Sequence, residues 1–402
     1  MILNETKIVE TSTKSQFVLI RKCFIILLVL VLLSVFIGSI NFANNFDFRP
    51  IQIIESIKLS FYSEHERIVQ KNQNKFIQNH NDIVTLKKKP IKVSINGINH
   101  AGYANRLYSM LTSFVIAIIT DSALIIRWNH ISKYIKEPFN LTFNDFSKQN
   151  NELNVDYNSS EFFQPQTAFP WQKTKNMDIL IKTQIPINRT RFFYNSIDPL
   201  FFELCSNPNY YEKFYNFGLI RLETMEKALN VTKNMSLYSP DEKSNSILMI
   251  PFEVGGNLLN KFWIPNDEIM KNVNHYVENV FKDYFVIGIQ LRYQYLVDSI
   301  DTNSFLKCAL EIEKNLTMNN NSNDNDSFSK KYKGFKWYLS SDSSNVLDRL
   351  KKIYQNKIIL GTGRMGHVES DSNAYPRAIL DIELLSRCNE LIMTGGSTFC
   401  KF

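Results

Sequence analysis

In two parts of the chain, apolar residues recur at the regular spacing that is typical of strands and helices. In the first part, residues 91–95 alternate as a strand does, and the apolar positions from 107 to 118 have helical spacing. Residues 123–128 then predict a second strand. A strand–helix–strand unit builds a parallel sheet with a right-handed crossover. We therefore predict an α/β domain that begins at residue 91.

A second series of strand and helix patterns follows residue 264. Repeated βα units of this kind predict a second parallel-sheet domain, so the fold class is α/β with two Rossmann-like domains, residues 91–263 and 264–402. The predicted strands are 284–291, 336–339, 357–360 and 390–394, and the predicted helices are 264–281, 304–314, 346–354 and 375–388.

The region between these two series is rich in aromatic residues and loops. Within it, 178–182 and 246–251 are predicted as further strands of the first sheet. The Asn-rich residues 318–330, inside the second series, are predicted as a loop.

The N-terminal region carries an unbroken apolar run at residues 23–40. At about 1.5 Å per residue the run spans about 27 Å, enough for a thin bilayer. Arg21 and Lys22 precede it, so the positive-inside rule places the N-terminus in the cytosol. We predict a cytosolic tail (1–22), an uncleaved signal-anchor (23–40), a polar stem (41–90) and a lumenal globular part.

Six Asn-x-Ser/Thr triplets lie on the predicted lumenal side and agree with a glycoprotein of the secretory pathway. They begin at Asn140, Asn158, Asn188, Asn230, Asn234 and Asn315. Asparagine is abundant in this chain, so chance also produces such triplets.

Composition narrows the class of partner. The 402 residues carry a net charge of +7, with Lys and Arg scattered, which argues against a nucleic-acid surface and is compatible with a small anionic ligand. The five cysteines have no zinc or redox spacing. Four of them follow the apolar run, where one or two disulfides are possible: Cys205, Cys308, Cys388 and Cys400.

Arg292 is the strongest candidate for ligand binding. It follows the strand 284–291, and ligands of open α/β sheets bind beyond the carboxyl ends of the strands. A guanidinium there can hold a phosphate through two parallel hydrogen bonds. The alternative is a structural ion pair with Asp298 or Glu311.

Asn105 and Arg106 lie where the first strand leads into a helix, a junction that attracts anions. Asn105 alternatively caps that helix. Near the C-terminus, Asp381 is able to accept the two N–H groups of a guanine edge, or it belongs to an exposed stripe of i, i+4 ion pairs.

Ser397 and Thr398 follow the last strand and form either a phosphate-binding nest or a simple turn.

Two stretches match known binding motifs letter by letter, but their context argues against both. Residues 361–366 read G-x-G-x-x-G, but the polar residues 368–374 stand where a helix should begin. Residues 324–326 read D-x-D inside the Asn-rich loop. Clusters typical of metal or serine hydrolysis are absent from the sequence.

Taken together, three blocks resemble the plant xyloglucan fucosyltransferases within the wider GDP-fucose fucosyltransferase superfamily. The first block is residues 102–106 with the helix after them, together with 123–126 and 137–139. The second is 287–292, and the third is 378–386 with 397–399. They occur in the family's order behind a signal-anchor and stem, whereas residues 148–250 match nothing in the family.

The resemblance implies a Golgi type II membrane protein of GT-B fold that moves fucose from GDP-fucose to a glycan hydroxyl with inversion and without a metal. It also implies site residues. Arg292 would hold the β-phosphate beside Gln290, Asp381 would read guanine, Ser397 and Thr398 would bind phosphate, and Asn105 and Arg106 would close the cleft.

The chain departs from the family in two respects. It stops four residues after Thr398, where the plant enzymes continue, which suggests a truncated or inactive copy. In addition, the nearest candidate for the catalytic base is Asp298, and it is a weak candidate because it lies in a predicted loop. Two other interpretations therefore stay open: a transferase that uses another nucleotide sugar, and a non-catalytic glycan-binding protein.

Overall fold

The computed structural model describes residues 50–85, 91–96, 102–126, 128, 130–139, 142–143, 162–163, 189–194, 200–234, 239–292, 302–318, 331–366 and 371–394. Contacts between Cα atoms divide the chain into two compact units, Met1–Arg67 and Ile68–Phe402. Both sheets of the molecule belong to the second unit, and the predicted domain boundaries stay predictions.

The first sheet is parallel throughout. Its strands are β1 (Ile91–Asn96), β2 (Ala123–Ile126), β3 (Phe162–Phe163) and β4 (Arg189–Tyr194), in the order β2-β1-β4-β3. Strand β1 pairs with β2 on one side and with β4 on the other. The predicted strand–helix–strand unit is confirmed, and β4 is a strand that the sequence analysis did not predict.

Six α-helices are described in this part of the chain. They are α1 (Pro50–Val84), α2 (Tyr103–Thr120), α3 (Leu200–Cys205), α4 (Tyr211–Asn216), α5 (Leu222–Lys233) and α6 (Pro240–Phe262). Helix α2 packs against β1, β2 and β4 on one side and against α3 on another. Because it is enclosed in this way, all of its residues except Asn105 and Thr120 are buried.

The predicted strand at 246–251 is wrong, because these residues lie inside α6. Ser246, Ile250, Val254 and Leu258 are buried at every fourth position, which is the spacing of a helix. A short apolar run cannot by itself distinguish a strand from a buried helix, and here the helical spacing of buried positions continues beyond the run to Leu258. The other predicted strand, 178–182, lies outside the described residues.

Helix α1 covers much of the region that was predicted to be a polar stem and reaches Val84. Phe76, His80, Ile83 and Val84 are buried, so the last turns of α1 belong to the globular core although the sequence assigned them to a stem. Within the described residues, no helix combines the length and apolar character needed to cross a bilayer. The predicted signal-anchor, 23–40, falls outside that part of the chain.

The second sheet is also parallel. Its strands are β5 (Phe285–Leu291), β6 (Phe335–Ser341), β7 (Ile358–Leu360) and β8 (Glu390–Met393), in the order β7-β6-β5-β8. The four predicted strands of this part are confirmed, with ends shifted by one or two residues. The helices around the sheet are α7 (Asp267–Tyr276, continued by a π-helical turn Val277–Phe281), α8 (Thr302–Met318), α9 (Ser344–Ile353) and α10 (Tyr375–Leu385).

Alternate residues of the central strands face opposite sides of this sheet. Ile287, Ile289 and Leu291 of β5 share a core with residues of α8 and α9. Val286 of β5 and Tyr338 of β6 instead belong to the large core that includes α7 and α10. The sheet is therefore covered by helices on both faces, as expected of a parallel sheet.

Cys205, Cys308 and Cys388 are free thiols in the structure, and Cys400 lies outside the described residues. The possible disulfides among these three cysteines are therefore not formed.

Candidate functional site

Polar side chains collect at the carboxyl ends of β5, β6 and β8. Arg292, Asp342 and Thr394 each follow one of these strands. The hydroxyl of Thr394 donates to the carbonyl oxygen of Gln290 at 2.9 Å and accepts the backbone N–H of Arg292 at 3.0 Å. Thr394 therefore fastens the end of β5 to β8, and with it the backbone that carries Arg292.

Arg292 forms an ion pair across the strand ends. Its Nε lies 3.4 Å from Oδ2 of Asp342, and the side chain keeps 31% of its surface exposed. The structural alternative named Asp298 or Glu311 as the partner. Among the described residues the acid paired with it is Asp342, which the parallel pairing of β5 and β6 brings to the same edge. Asp298, also the candidate base, lies outside the described residues. Arg292 thus lies next to an acid but is not buried beneath it.

Gln290 lies two residues before Arg292 on β5 and is 4% exposed. Its position on the strand, alternating with Ile289 and Leu291, places it on the face that α10 covers.

Asp381 of α10 is the centre of a buried hydrogen-bond network. Its Oδ1 accepts from the hydroxyl of Tyr338 at 2.5 Å and from Nε of Arg377 at 2.7 Å. Its Oδ2 accepts from the hydroxyl of Ser340 at 2.8 Å. Each carboxylate oxygen thus already has a donor from the protein. The role of Asp381 as a reader of guanine stays a prediction, and these contacts give it a structural role as well.

The alternative reading of Asp381 was an exposed stripe of ion pairs, and the structure corrects it. Arg377 and Asp381 do pair at i, i+4, but their side chains are 6% and 7% exposed. The second predicted pair, Glu383 with Arg387, forms at 2.6 Å with both side chains partly exposed. Helix α10 therefore buries its first pair beneath the sheet and leaves its second near the surface.

Burial governs the ionisation of this network. It raises the pKa of Asp381 above the ordinary value, although the charge of Arg377 and the hydrogen bonds from Tyr338, Ser340 and Arg377 act in the opposite direction. Burial also raises the pKa of Tyr338 well above its usual value, so its phenol stays protonated as a donor. For Arg377, burial is the largest influence and lowers the pKa. The charges of Asp381 and Tyr338 and the hydrogen bond to Asp381 together raise the pKa by more, so the guanidinium stays cationic.

Gly361, directly after β7, permits this close packing. Nη1 of Arg377 donates to its carbonyl oxygen. A Cβ at Gly361 would lie 2.6 Å from the Tyr338 hydroxyl and 2.9 Å from Oδ1 of Asp381. Nη2 of Arg377 is buried and has no hydrogen-bond partner among the described residues.

The predicted pair at the other sheet, Asn105 and Arg106, lies in the first turn of α2. Gly102 is the N-cap of this helix, so the alternative role of Asn105 as the cap is wrong. The side-chain oxygen of Asn105 is buried and finds no partner within the described part of the chain. Arg106 is 5% exposed, and its Nη1 donates to the hydroxyl of Tyr375 at 2.6 Å.

Tyr375 is the first residue of α10. The hydrogen bond therefore joins α2, which packs on the first sheet, to α10, which packs on the second. In a parallel βα unit the N-terminus of the helix lies at the carboxyl end of the preceding strand. Helix α2 follows β1 and α10 follows β7, so the carboxyl ends of the two sheets meet at Arg106 and Tyr375.

Ser397 and Thr398 lie outside the described residues, as do 324–326. Across the ranges that the structure describes, no group of three or more His, Cys, Asp or Glu side chains is arranged to hold a metal ion.

Sequence reasoning did not select Asp342, Tyr375 or Trp128, and it considered Arg377 only as the ion-pair partner of Asp381 in the alternative reading. A signal existed for Asp342, because it follows a predicted strand just as Arg292 does. Tyr375 and Trp128 offered none, since their importance comes from a contact between parts of the chain that are far apart in sequence.

The fold and the site together define an α/β protein with two parallel sheets whose carboxyl ends meet, with Arg106 at the junction and Arg292 at the carboxyl end of β5. The sequence matches no protein-family model and no curated protein.

Among solved structures, three matches are to fucosyltransferases, all with low identity and low TM-scores. NodZ α-1,6-fucosyltransferase co-crystallised with GDP has 14% identity and a TM-score of 0.42, over 78% of this chain and 90% of that chain. Fucosyltransferase NodZ from Bradyrhizobium has 14% identity and a TM-score of 0.41, over 78% and 91%. A mutant of Arabidopsis thaliana FUT1 in complex with GDP has 13% identity and a TM-score of 0.42, over 90% and 79%. TM-scores below 0.5 carry no conclusion about the fold or activity of this chain.

Proposed function

We propose that this chain is an inverting glycosyltransferase of GT-B architecture, which transfers fucose from GDP-fucose to a glycan hydroxyl without a metal ion. The observation that carries the proposal is the position of Arg292. It follows the central strand of a parallel sheet, keeps part of its surface exposed, and lies at the edge where α/β proteins bind their ligands. The three sequence blocks that resemble fucosyltransferases support the same reading.

The chemistry follows from charge. When the bond between fucose and the diphosphate breaks, negative charge grows on the departing GDP, and groups fixed beforehand around it lower the barrier. Arg292 would supply that positive charge. Its backbone is fastened through Thr394, and Asp342 limits the rotation of its side chain. A fixed guanidinium stabilises the leaving group without having to reorganise during the reaction.

A second candidate keeps the fold and changes the nucleotide. The contacts of Asp381 favour it, because both of its oxygens are bonded to Tyr338, Ser340 and Arg377 and guanine would have to compete with them. The donor would then be a UDP- or ADP-sugar held by the same arginine.

Calorimetric titration of the purified protein with GDP, UDP and ADP separates the candidates. For a GDP-fucose transferase we expect GDP to bind at least about tenfold more tightly than the others, a difference of about 1.4 kcal/mol. Tighter binding of UDP or ADP would favour the second candidate. Binding of none of the three, together with no transfer of labelled fucose to a glycan mixture, would refute both.

We further propose that the protein is a single-pass type II Golgi glycoprotein, anchored by residues 23–40 with its folded part in the lumen. The apolar run and the basic residues before it support this topology. Protease protection of the folded part in intact Golgi vesicles tests it, and digestion without detergent would contradict it.

A further inference from the structure

Two hydrogen-bond donors converge on the phenolic oxygen of Tyr375. Nη1 of Arg106 lies 2.6 Å from it and Nε1 of Trp128 lies 2.9 Å from it. Arginine and tryptophan side chains can only donate, so the tyrosine oxygen accepts both bonds. A hydroxyl has two lone pairs, and both are used here. The oxygen therefore accepts hydrogen bonds from Arg106 and Trp128 at the same time and holds both side chains in place.

Aromatic rings confine the same guanidinium. The Cζ atom of Arg106 lies 5.8 Å from the ring centroid of Trp128 and 5.8 Å from that of Tyr375. Cations are attracted to ring faces at such distances. Trp128 is itself stacked on Trp263, with centroids 5.4 Å apart, and Trp263 donates to the hydroxyl of Tyr103 at 3.0 Å. Two layers of aromatic side chains thus fix the position of Arg106.

Tyr375 reaches this position from the other sheet. It begins α10, and the proline that follows it restricts the backbone at the start of the helix. The ring of Tyr134 lies 5.6 Å from that of Tyr375 on the side of the first sheet. Arg106 and Trp128 belong to the first sheet's elements, so the guanidinium is held in place only when α10 is docked against them.

We propose that Tyr375 is a positioning residue that orients Arg106 toward the diphosphate of the donor. The inference rests on the proposed function, in which Arg106 acts on the donor from the side of the first sheet. Tyr375 would affect donor binding only by holding Arg106 in place. Donor binding would then depend on the contact between α10 and α2.

A double-mutant cycle in the full-length protein tests the inference, with GDP affinity from calorimetry and kcat and KM for GDP-fucose as readouts. Tyr375→Phe keeps the ring and removes the acceptor. We expect it to weaken GDP binding by about tenfold, which corresponds to one charge-assisted hydrogen bond. In an Arg106→Met background the same change should alter GDP binding by less than about twofold, because residues that act through one another are not additive.

Tyr134→Phe is the matched control. Tyr134 packs on the same ring, but its hydroxyl donates to the carbonyl oxygen of Ser372 at 3.4 Å. We expect it to leave GDP affinity unchanged. Equal effects of Tyr375→Phe in the two backgrounds, or an equal effect of Tyr134→Phe, would overturn the positioning role and leave only a structural one.

Arg106→Lys supplies a further variant if Tyr375→Phe does not fold. Lysine keeps the charge but lacks the planar group that lies against the rings while donating to the hydroxyl. We expect a similar loss of GDP affinity, and an affinity like that of the wild type would refute the inference.

Wild-type protein that binds no GDP would refute the proposed function and this inference with it. GDP binding with an additive double-mutant cycle would refute the inference alone.

Discussion

At the scale of single residues, the site depends on where charges are placed at the ends of strands. Arg292 was predicted because it follows an apolar strand, and the structure finds it at the edge of the sheet beside Asp342. The contact with Asp342 was not predictable from spacing, because Asp342 follows the neighbouring strand β6. For Asp381, the sequence showed a carboxylate on a largely apolar helix, but it could not show that Tyr338 and Ser340 lie opposite.

Replacing Arg292 tests the proposed chemistry. We expect Arg292→Ala to lower kcat for fucose transfer by about 10²–10³, because one fixed charge is lost from the leaving group. Arg292→Lys should recover little, since an ammonium cannot form the two parallel hydrogen bonds of a guanidinium. Steady-state kinetics with GDP-fucose measure both, and near-normal turnover of the lysine variant would exclude the role.

Gly361 offers a test of packing with a control in the same chain. In Gly361→Ala the added Cβ would lie 2.6 Å from the Tyr338 hydroxyl, so we expect a loss of about 1–3 kcal/mol in the free energy of unfolding. Gly256 lies within α6 with no atom near its Cβ position, and Gly256→Ala should stabilise the protein by about 0.5–1 kcal/mol. Urea denaturation measures both changes. Equal stability of the two variants would mean that the Asp381 network tolerates the extra atom.

At the scale of elements, the sequence was most informative where one periodicity persisted. Helix α2 was predicted because its apolar positions keep helical spacing, and strands β5 and β6 were predicted from short apolar runs. The run at 246–251 was assigned to a strand because its length suits both structures, and only tertiary contacts make it helical. Strand β4 was missed since its sequence, RTRFFY, does not alternate.

The burial of the last turns of α1 in the core can be tested by mutation. Phe76 is 6% exposed, and its ring lies 5.6 Å from that of Phe139 and 5.5 Å from that of Phe217. We expect Phe76→Ala to lower the free energy of unfolding by about 3–5 kcal/mol through the cavity it creates. Ile68 on the same helix is 37% exposed, and Ile68→Ala should change it by less than about 0.5 kcal/mol. Similar midpoints for both variants in urea would show that α1 is not part of the core.

At the scale of the whole molecule, the sequence predicted two parallel sheets and the edge at which the candidate site lies. It did not predict how the two parts touch. The hydrogen bond between Arg106 and Tyr375 joins helices that pack on different sheets, and no local sequence pattern predicts such a contact. The membrane anchor, Ser397 and Thr398 stay predictions, since they belong to parts of the chain outside the described residues.

The pairing of β5 has a consequence for biosynthesis. One neighbour of this central strand, β8, is the last strand of the second sheet, and Gln290 pairs with Met393. A ribosome that adds about 5–20 residues per second needs several seconds to more than ten seconds to make the intervening segment. During that interval one edge of β5 is unprotected in the nascent chain, and the apolar strand is exposed to aggregation. Chaperones that shield extended apolar segments should therefore raise the yield of folded protein most strongly in this window of synthesis.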